Sequence, residues 1–345
     1  MRIEIPTKLY TDTALDFAYK LKGINVDDYN CLVAKMQWVR PFSMLYMALV
    51  MKNFREKNKT KAFEFEPDFS AKGFSYATNM GFISAISKDL DSKYDHAMAF
   101  GNDNYIPIHR IDLSKAYREN RVQKDKILDM GDIIEMESRK LAIVLSRNNE
   151  EFKQLMTYII REMIRNIYDH SQSQTAWACG QYWKNDNKVE IAICDEGIGI
   201  LKSMKMNRIY RDLVTNDLEA IKLTLNPGVS QAYGKKKTIF SNEWDNSGFG
   251  LYMVKEVCKD LNGELTVASG EDFLTINSSG IKRTGHTYFN GTAIRILIDT
   301  SKEINCQKLI DYFVCKGEKI ANKCKYAFHT ASVPSRGLMS KSKSI

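Results

Sequence analysis

Met156, Ile159, Ile160, Met163, Ile164 and Ile167 recur at i, i+3, i+4, i+7, i+8 and i+11, which is the period of a helix buried along one stripe. Beside that stripe Glu162, Asn166, Asp169 and His170 are spaced so that their side chains share one face and can converge on a single ligand. A carboxylate there can polarise a water, and an amide oxygen one turn on can hold a divalent cation without adding charge. The solvated face of an amphipathic helix accounts for the same four residues, so this helix alone leaves both readings open.

Downstream the period changes. After a turn over 181–187, Val189-Glu190-Ile191-Ala192-Ile193-Cys194 alternates as a strand should and ends on Asp195. Asp195-Glu196-Gly197-Ile198-Gly199 then sets an acid at a strand end, with two glycines where the backbone must bend and approach a ligand closely. A second cluster, Asn246-Ser247-Gly248-Phe249-Gly250, opens a helix whose buried stripe is Leu251, Val254, Val257 and Leu261, closed by Asn262-Gly263 in a left-handed cap. Glycines before a helix expose N–H groups and the positive end of its dipole, a ready phosphate site. Gly291-Thr292 starts a late strand over 293–298.

Upstream, residues 31–34, 42–54 and 61–65 read as strand, helix and strand, with Pro41 suited to the first helical turn. Residues 75–83 read as one short helix closing a small sheet, and 111–150 as helices joining two halves. The length of 345 residues allows two domains, and 44% apolar content is ordinary for a globular chain. No run approaches the ~18 apolar residues of a membrane span, and the first residues lack a signal-peptide core, so a soluble cytoplasmic protein without membrane contact is expected. The seven cysteines include no Cys-x-x-Cys pair, which argues for reduced thiols over a disulfide framework or a zinc ribbon.

The net charge of +8 is concentrated at the end: residues 316–345 hold seven basic side chains against one acid, Glu318. That composition predicts a solvated, partly disordered tail, dispensable for the chemistry, with nucleic-acid binding as its alternative use. A dinucleotide fingerprint would need glycine where Lys202 stands, and no Walker loop occurs.

Glu-x-x-x-Asn on a helix, Asp-x-Gly-x-Gly after a strand, Gly-x-Gly opening a second helix and Gly-Thr before a final strand together resemble the GHKL superfamily. Its members include gyrase-type ATPases, the ninety-kilodalton heat-shock chaperone, histidine kinases and mismatch-repair ATPases. The resemblance implies a Bergerat-type α/β sandwich, with helices on one face of a mixed sheet, over residues 151–300, and a site for ATP and Mg²⁺. Within it Asp195 would accept from the adenine amino group, while Gly197 and Gly199 would let the chain pass under the base. Asn166 would hold Mg²⁺, Glu162 would orient the hydrolytic water, Gly248 and Gly250 would wrap the phosphates, and Thr292 would lie near the adenine. Residues 201–247 would form the mobile lid, hinged at Gly228 and Gly234, with Lys237 or its neighbours Lys235 and Lys236 reaching the γ-phosphate.

The order of elements in residues 25–110 resembles STAS-like domains. The implied organisation is a STAS-like α/β domain over 1–115, a helical connector over 116–150, the ATP-binding domain, and a C-terminal helix with a basic tail over 301–345. No histidine lies between His109 and His170 to serve as a kinase phosphoacceptor, and about 45 residues after the last strand are too few for a transducer domain. Three functions stay open: an ATPase or nucleotide switch relaying ATP state to a protein partner, in a homodimer or otherwise; a serine kinase acting on a STAS-type substrate; and a non-catalytic ATP-sensing scaffold.

Overall fold

A computed structural model describes residues 1–26, 30–32, 36–58, 70–87, 101–123, 126–234 and 247–337. The N-terminal part comprises β1 (Arg2–Glu4), β2 (Lys8–Leu9), α1 (Thr11–Leu21), β3 (Asn30–Leu32), β4 (Trp38–Val39), α2 (Pro41–Asn58), α3 (Lys72–Asn79) and α4 (Phe82–Ser87). Then come β5 (Tyr105–Asp112), α5 (Leu113–Asn120), the short pair β6 (Val122–Gln123) and β7 (Lys126–Ile127), and α6 (Met130–Ser146). The remainder is α7 (Glu150–His170), β8 (Thr175–Trp183), β9 (Lys188–Asp195), α8 (Gly199–Lys205), α9 (Asp217–Thr224), α10 (Gly250–Asp260), β10 (Glu264–Asn277), β11 (Lys282–Asp299) and α11 (Cys306–Ala321).

The centre is a five-stranded sheet in the order β10-β11-β9-β8-β5, with every neighbouring pair antiparallel. The α/β sandwich expected for this part of the chain is present, but the sheet is antiparallel throughout rather than mixed. Helices also lie on both of its faces. Ile191 and Ile193 of β9 point into a core shared with α7, α10 and α11, while Ala192 and Cys194 point into a second core shared with α1 and α2. Alternation along β9 thus separates two buried faces, a pattern that only the small size of Ala192 and Cys194 betrays in the sequence.

α7 forms where the apolar period predicts a helix. Asn149 caps it by accepting from the Phe152 N–H at 3.1 Å, and Glu150 and Glu151 sit where the dipole favours negative charge. α2 differs: from Phe42 to Met51 every residue is buried, as befits a helix enclosed on all sides. Its N-terminus is held from the sheet, because the fully buried Glu190 accepts the Phe42 N–H at 3.1 Å through Oε1. The other oxygen, Oε2, accepts from Arg295 Nε at 3.0 Å, and Arg295 pairs onward with Glu264. One carboxylate therefore joins β9, β11 and the first turn of α2.

Several sequence-based expectations change. Residues 75–83 are two short helices parted at Gly81, whose φ of 79° suits glycine. Residues 105–112, expected within the N-terminal unit, supply the edge strand β5 of the central sheet. The expected strand over 61–65 and residues 33–34 lie outside the described residues; the described N-terminal strands are two short parallel pairs, β1 with β3 and β2 with β4. The late strand does not begin at Gly291: β11 starts at Lys282 and passes through Gly291 with φ 109°. A side chain at Gly291 would collide with the Asp195 carbonyl. At the end of α10 it is Asn262, with φ 45°, that takes the left-handed conformation. The described cysteines are free thiols, and no helix among the described residues is long and apolar enough to cross a membrane.

Glu190→Ala should lower stability by about 3 kcal/mol, because it strips a buried guanidinium of one partner and leaves the α2 N–H unsatisfied. Urea unfolding followed by far-UV circular dichroism checks this through the midpoint; a midpoint equal to wild type would mean that the pair does not couple the helix to the sheet.

Candidate functional site

A pocket opens on the α7 side of the sheet, lined by Asn166 and His170 from α7, Asp195 and Thr292 from paired strands, Gly199 at the start of α8, and Gly248 and Gly250 before α10. Asn166 and His170 share a face one turn apart, and Met163 and Ile167 fill the apolar wall between them. Asp169 is turned away. It pairs with Arg165 Nε at 3.7 Å and faces a separate cavity with Arg161 and Tyr168, so the four polar residues of α7 do not converge on one ligand.

Asp195 ends β9 opposite Thr292 in the antiparallel register and is only 3% exposed. Its Oδ1 accepts the Gly197 N–H at 2.8 Å. Burial is the largest influence on the carboxyl and pushes its pKa up to about 7, against the opposing hydrogen bonds from Gly197 and Thr292. A carboxylate held this dry, at the floor of a pocket, gains from any further N–H donor that enters, which fits the exocyclic amine of adenine. Gly197 itself serves packing, since a side chain there would strike the Ser171 carbonyl; Gly199, with φ 74°, is the glycine on the pocket wall. The intervening Glu196 is fixed from behind by Lys52 Nζ at 3.0 and 3.2 Å and by Trp177 Nε1 at 3.1 Å. The N-terminal helix α2 thus anchors the loop that carries the site.

Gly248, with φ 73°, packs on Val229, and its carbonyl accepts the Gly228 N–H at 3.1 Å. Gly250 starts α10 directly against the acid of α7, where a built Cβ would lie 2.7 Å from Glu162 Oε2. Glu162 is 1% exposed. Its Oε1 lies 3.5 Å from both Arg161 Nη2 and Arg165 Nη1. Its Oε2 accepts from the Ser335 hydroxyl at 3.2 Å. Asn166, Gly248 and Gly250 together fit a magnesium-bound polyphosphate: an amide oxygen for the cation beside N–H groups at a helix start.

Over residues 325–337 the expectation of a solvated tail is overturned; residues 338–345 lie outside the described residues. Residues 325–337 run back across the site: Tyr210 donates to the Tyr326 carbonyl at 2.7 Å, Phe328 N–H to the Gly228 carbonyl at 2.7 Å, and Ser332 N–H to Ser247 Oγ at 2.8 Å. Lys316 pairs with Glu256 at 2.5 Å and Arg336 pairs with Glu318, so part of the basic charge is matched within the fold. Polar composition hid this docking; the ordered, serine-bearing end has no periodic signal. Lys235, Lys236 and Lys237 lie outside the described residues.

Residues 153–301 match the family of histidine kinase-, DNA gyrase B- and HSP90-like ATPases. The matched span holds α7 from Lys153 onward, both glycine clusters and the Thr292 strand, which are the parts the pocket is built from. A GHKL-type ATPase domain is therefore present in this part of the chain. No curated protein matches the chain.

The raised Asp195 pKa gives a signed expectation. A folded pKa above the ordinary carboxylate value means that the folded, ligand-free state binds this proton more tightly than the unfolded one; ionising Asp195 costs stability that is recovered as pH falls from about 7 towards 4. An N–H donor entering the pocket favours the ionised form, so ADP binding should release protons near pH 7 and weaken as pH falls below it. Calorimetry of ADP binding to the wild-type protein in buffers of different ionisation enthalpy, repeated from about pH 6 to about pH 8, measures this. An affinity that does not weaken below about pH 7 would separate Asp195 from the nucleotide.

Proposed function

We propose that the chain binds Mg-ATP in this pocket and uses Glu162 as the base that activates a hydroxyl towards the γ-phosphate. The observation that supports it most is the convergence of Asp195, Asn166, Gly248 and Gly250 on one pocket, with Glu162 directly behind Gly250. Asp195 and Thr292 would hold the adenine end, Gly199 would admit the base, and the α10 N-terminus would take the phosphates. Bound Mg²⁺, held by Asn166 and the phosphates, would neutralise charge during transfer.

With water as the hydroxyl the reaction is ATP hydrolysis, and closure of residues 201–234 would relay the ATP state to a protein partner. In the structure, however, the hydroxyl on Glu162 is that of Ser335, which favours phosphotransfer to serine as a second reading. In either case the covering segment has to move or to react before water reaches Glu162.

Glu162→Gln keeps shape and removes charge. ATP consumption should fall by ~10²–10⁴-fold while affinity changes by less than about tenfold. Measuring phosphate release and nucleotide affinity on one preparation separates the roles; a wild-type rate would remove Glu162 as the base. For Asp195→Asn the expected result is loss of nucleotide stabilisation, which for wild type at ~100 times Kd should reach about 2.7 kcal/mol in a thermal-shift assay. Equal stabilisation of the two proteins would move the adenine site elsewhere.

A further inference from the structure

Ser335 is fully buried, lies 173 residues from Glu162 in sequence, and yet donates its hydroxyl to Oε2 of that carboxylate at 3.2 Å. The same oxygen faces Gly250 and the N-terminus of α10, where the phosphates are placed by the reading above. We propose that Ser335 is an intramolecular phosphoacceptor for ATP bound in this pocket. The proposal rests on the ATP-site reading and adds to it the nucleophile.

The serine is presented by a rigid segment. A turn of 3-10 helix over Pro334–Arg336 carries it. Tyr158 OH donates to the Ser335 carbonyl at 3.0 Å, and Arg161 Nη2 donates to the carbonyls of Pro334 at 2.5 Å and Gly337 at 3.0 Å. Arg161 is 1% exposed, so a buried charge is committed to holding this turn against α7. A water-solvated tail would need none of these contacts.

The chemistry balances with ATP as the sole co-reactant. Glu162 takes the Ser335 proton, the serine oxygen bonds to the γ-phosphorus, and the bond from that phosphorus to the β,γ-bridging oxygen breaks with its electron pair leaving on ADP. Arg165 stands close by: its Nη2 is 3.4 Å from Ser332 Oγ, which is 3.2 Å from Ser335 Oγ. Guanidinium groups there can meet the charge that develops on the transferred group. The product carries nearly two negative charges beside the Glu162 carboxylate in a space that excludes water. That repulsion would expel the segment, so the modification would also uncover Glu162 and free the Gly228 and Ser247 contacts of the lid and phosphate loop.

Incubating the full chain with Mg-ATP and mapping peptides from residues 325–345 by mass spectrometry tests the proposal, with ADP thermal stabilisation read on each protein. The expected result is one phosphate on Ser335, first order in protein, with a rate constant unchanged over a tenfold concentration range. In Glu162→Gln the rate should fall at least 100-fold while ADP stabilisation persists. Ser335→Ala should carry no phosphate. Nucleotide stabilisation with ATP turned to free phosphate and Ser335 unmodified would overturn the proposal and leave the ATP site standing. Phosphate on another residue, or a first-order rate constant that rises in proportion to protein concentration, would overturn it equally. Absence of any nucleotide stabilisation would remove the ATP-site reading, and the proposal with it.

Discussion

A carboxylate that is 1% exposed has to be matched by charge and hydrogen bonds, or the fold that buries it is penalised by several kcal/mol. Glu162 is in that position, and much of the surrounding structure answers to it. Arg161 and Arg165 flank it on its own helix. Gly250 has no side chain because Glu162 Oε2 fills the space. The last described segment of the chain folds back to supply Ser335 to the remaining oxygen. Each of these features places a partner or an open space against the oxygens of one buried side chain next to a helix N-terminus.

The same economy operates on the other side of the sheet. Glu190 is as deeply buried as Glu162 and is satisfied by Arg295 and by the first turn of α2. Lys52, the last residue of the continuous buried run of the same helix, reaches Glu196 in the loop after Asp195. The N-terminal part of the chain is thereby tied to the sheet by the Phe42 N–H on Glu190, to the loop after Asp195 by the Lys52–Glu196 pair, and by the packing of Phe42 and Tyr46 against the sheet, where Tyr46 stacks on Phe289 at 4.8 Å.

The pocket sits where these two anchored systems meet. Its walls include Met163 and Ile167 of α7, and beside Asn166, His170 and Thr292 its polar groups arrive from element ends: the end of β9, the start of α8, the start of α10. Such positions have backbone groups not used by neighbouring strands or helical turns, so ligand contacts cost no secondary structure. The segment running from Tyr326 to Gly337 lies against this region by hydrogen-bonding Gly228 and Ser247, so the turn that brings Ser335 to Glu162 is linked to both of those segments.

The sequence by itself determined the helix of the acid and amide, the strand ending on Asp195, the helix opened by Gly248 and Gly250, and the family resemblance those elements carry. These are local properties: a 3.6 or 2.0 residue period, a glycine at a turn, an acid at a strand end, each set by neighbours within a few residues. It did not reveal that β9 is buried on both faces, that residues 105–112 complete the sheet, or that Asp169 leaves the ligand face for Arg165. Nor did it reveal that a basic, serine-rich end docks on Glu162. Those outcomes depend on which partners the chain brings together across more than a hundred residues, and burial, ion pairing and hydrogen bonding at that range leave no periodic trace in the sequence. Only the tertiary structure decided them, because only there do Glu162 and Ser335 meet.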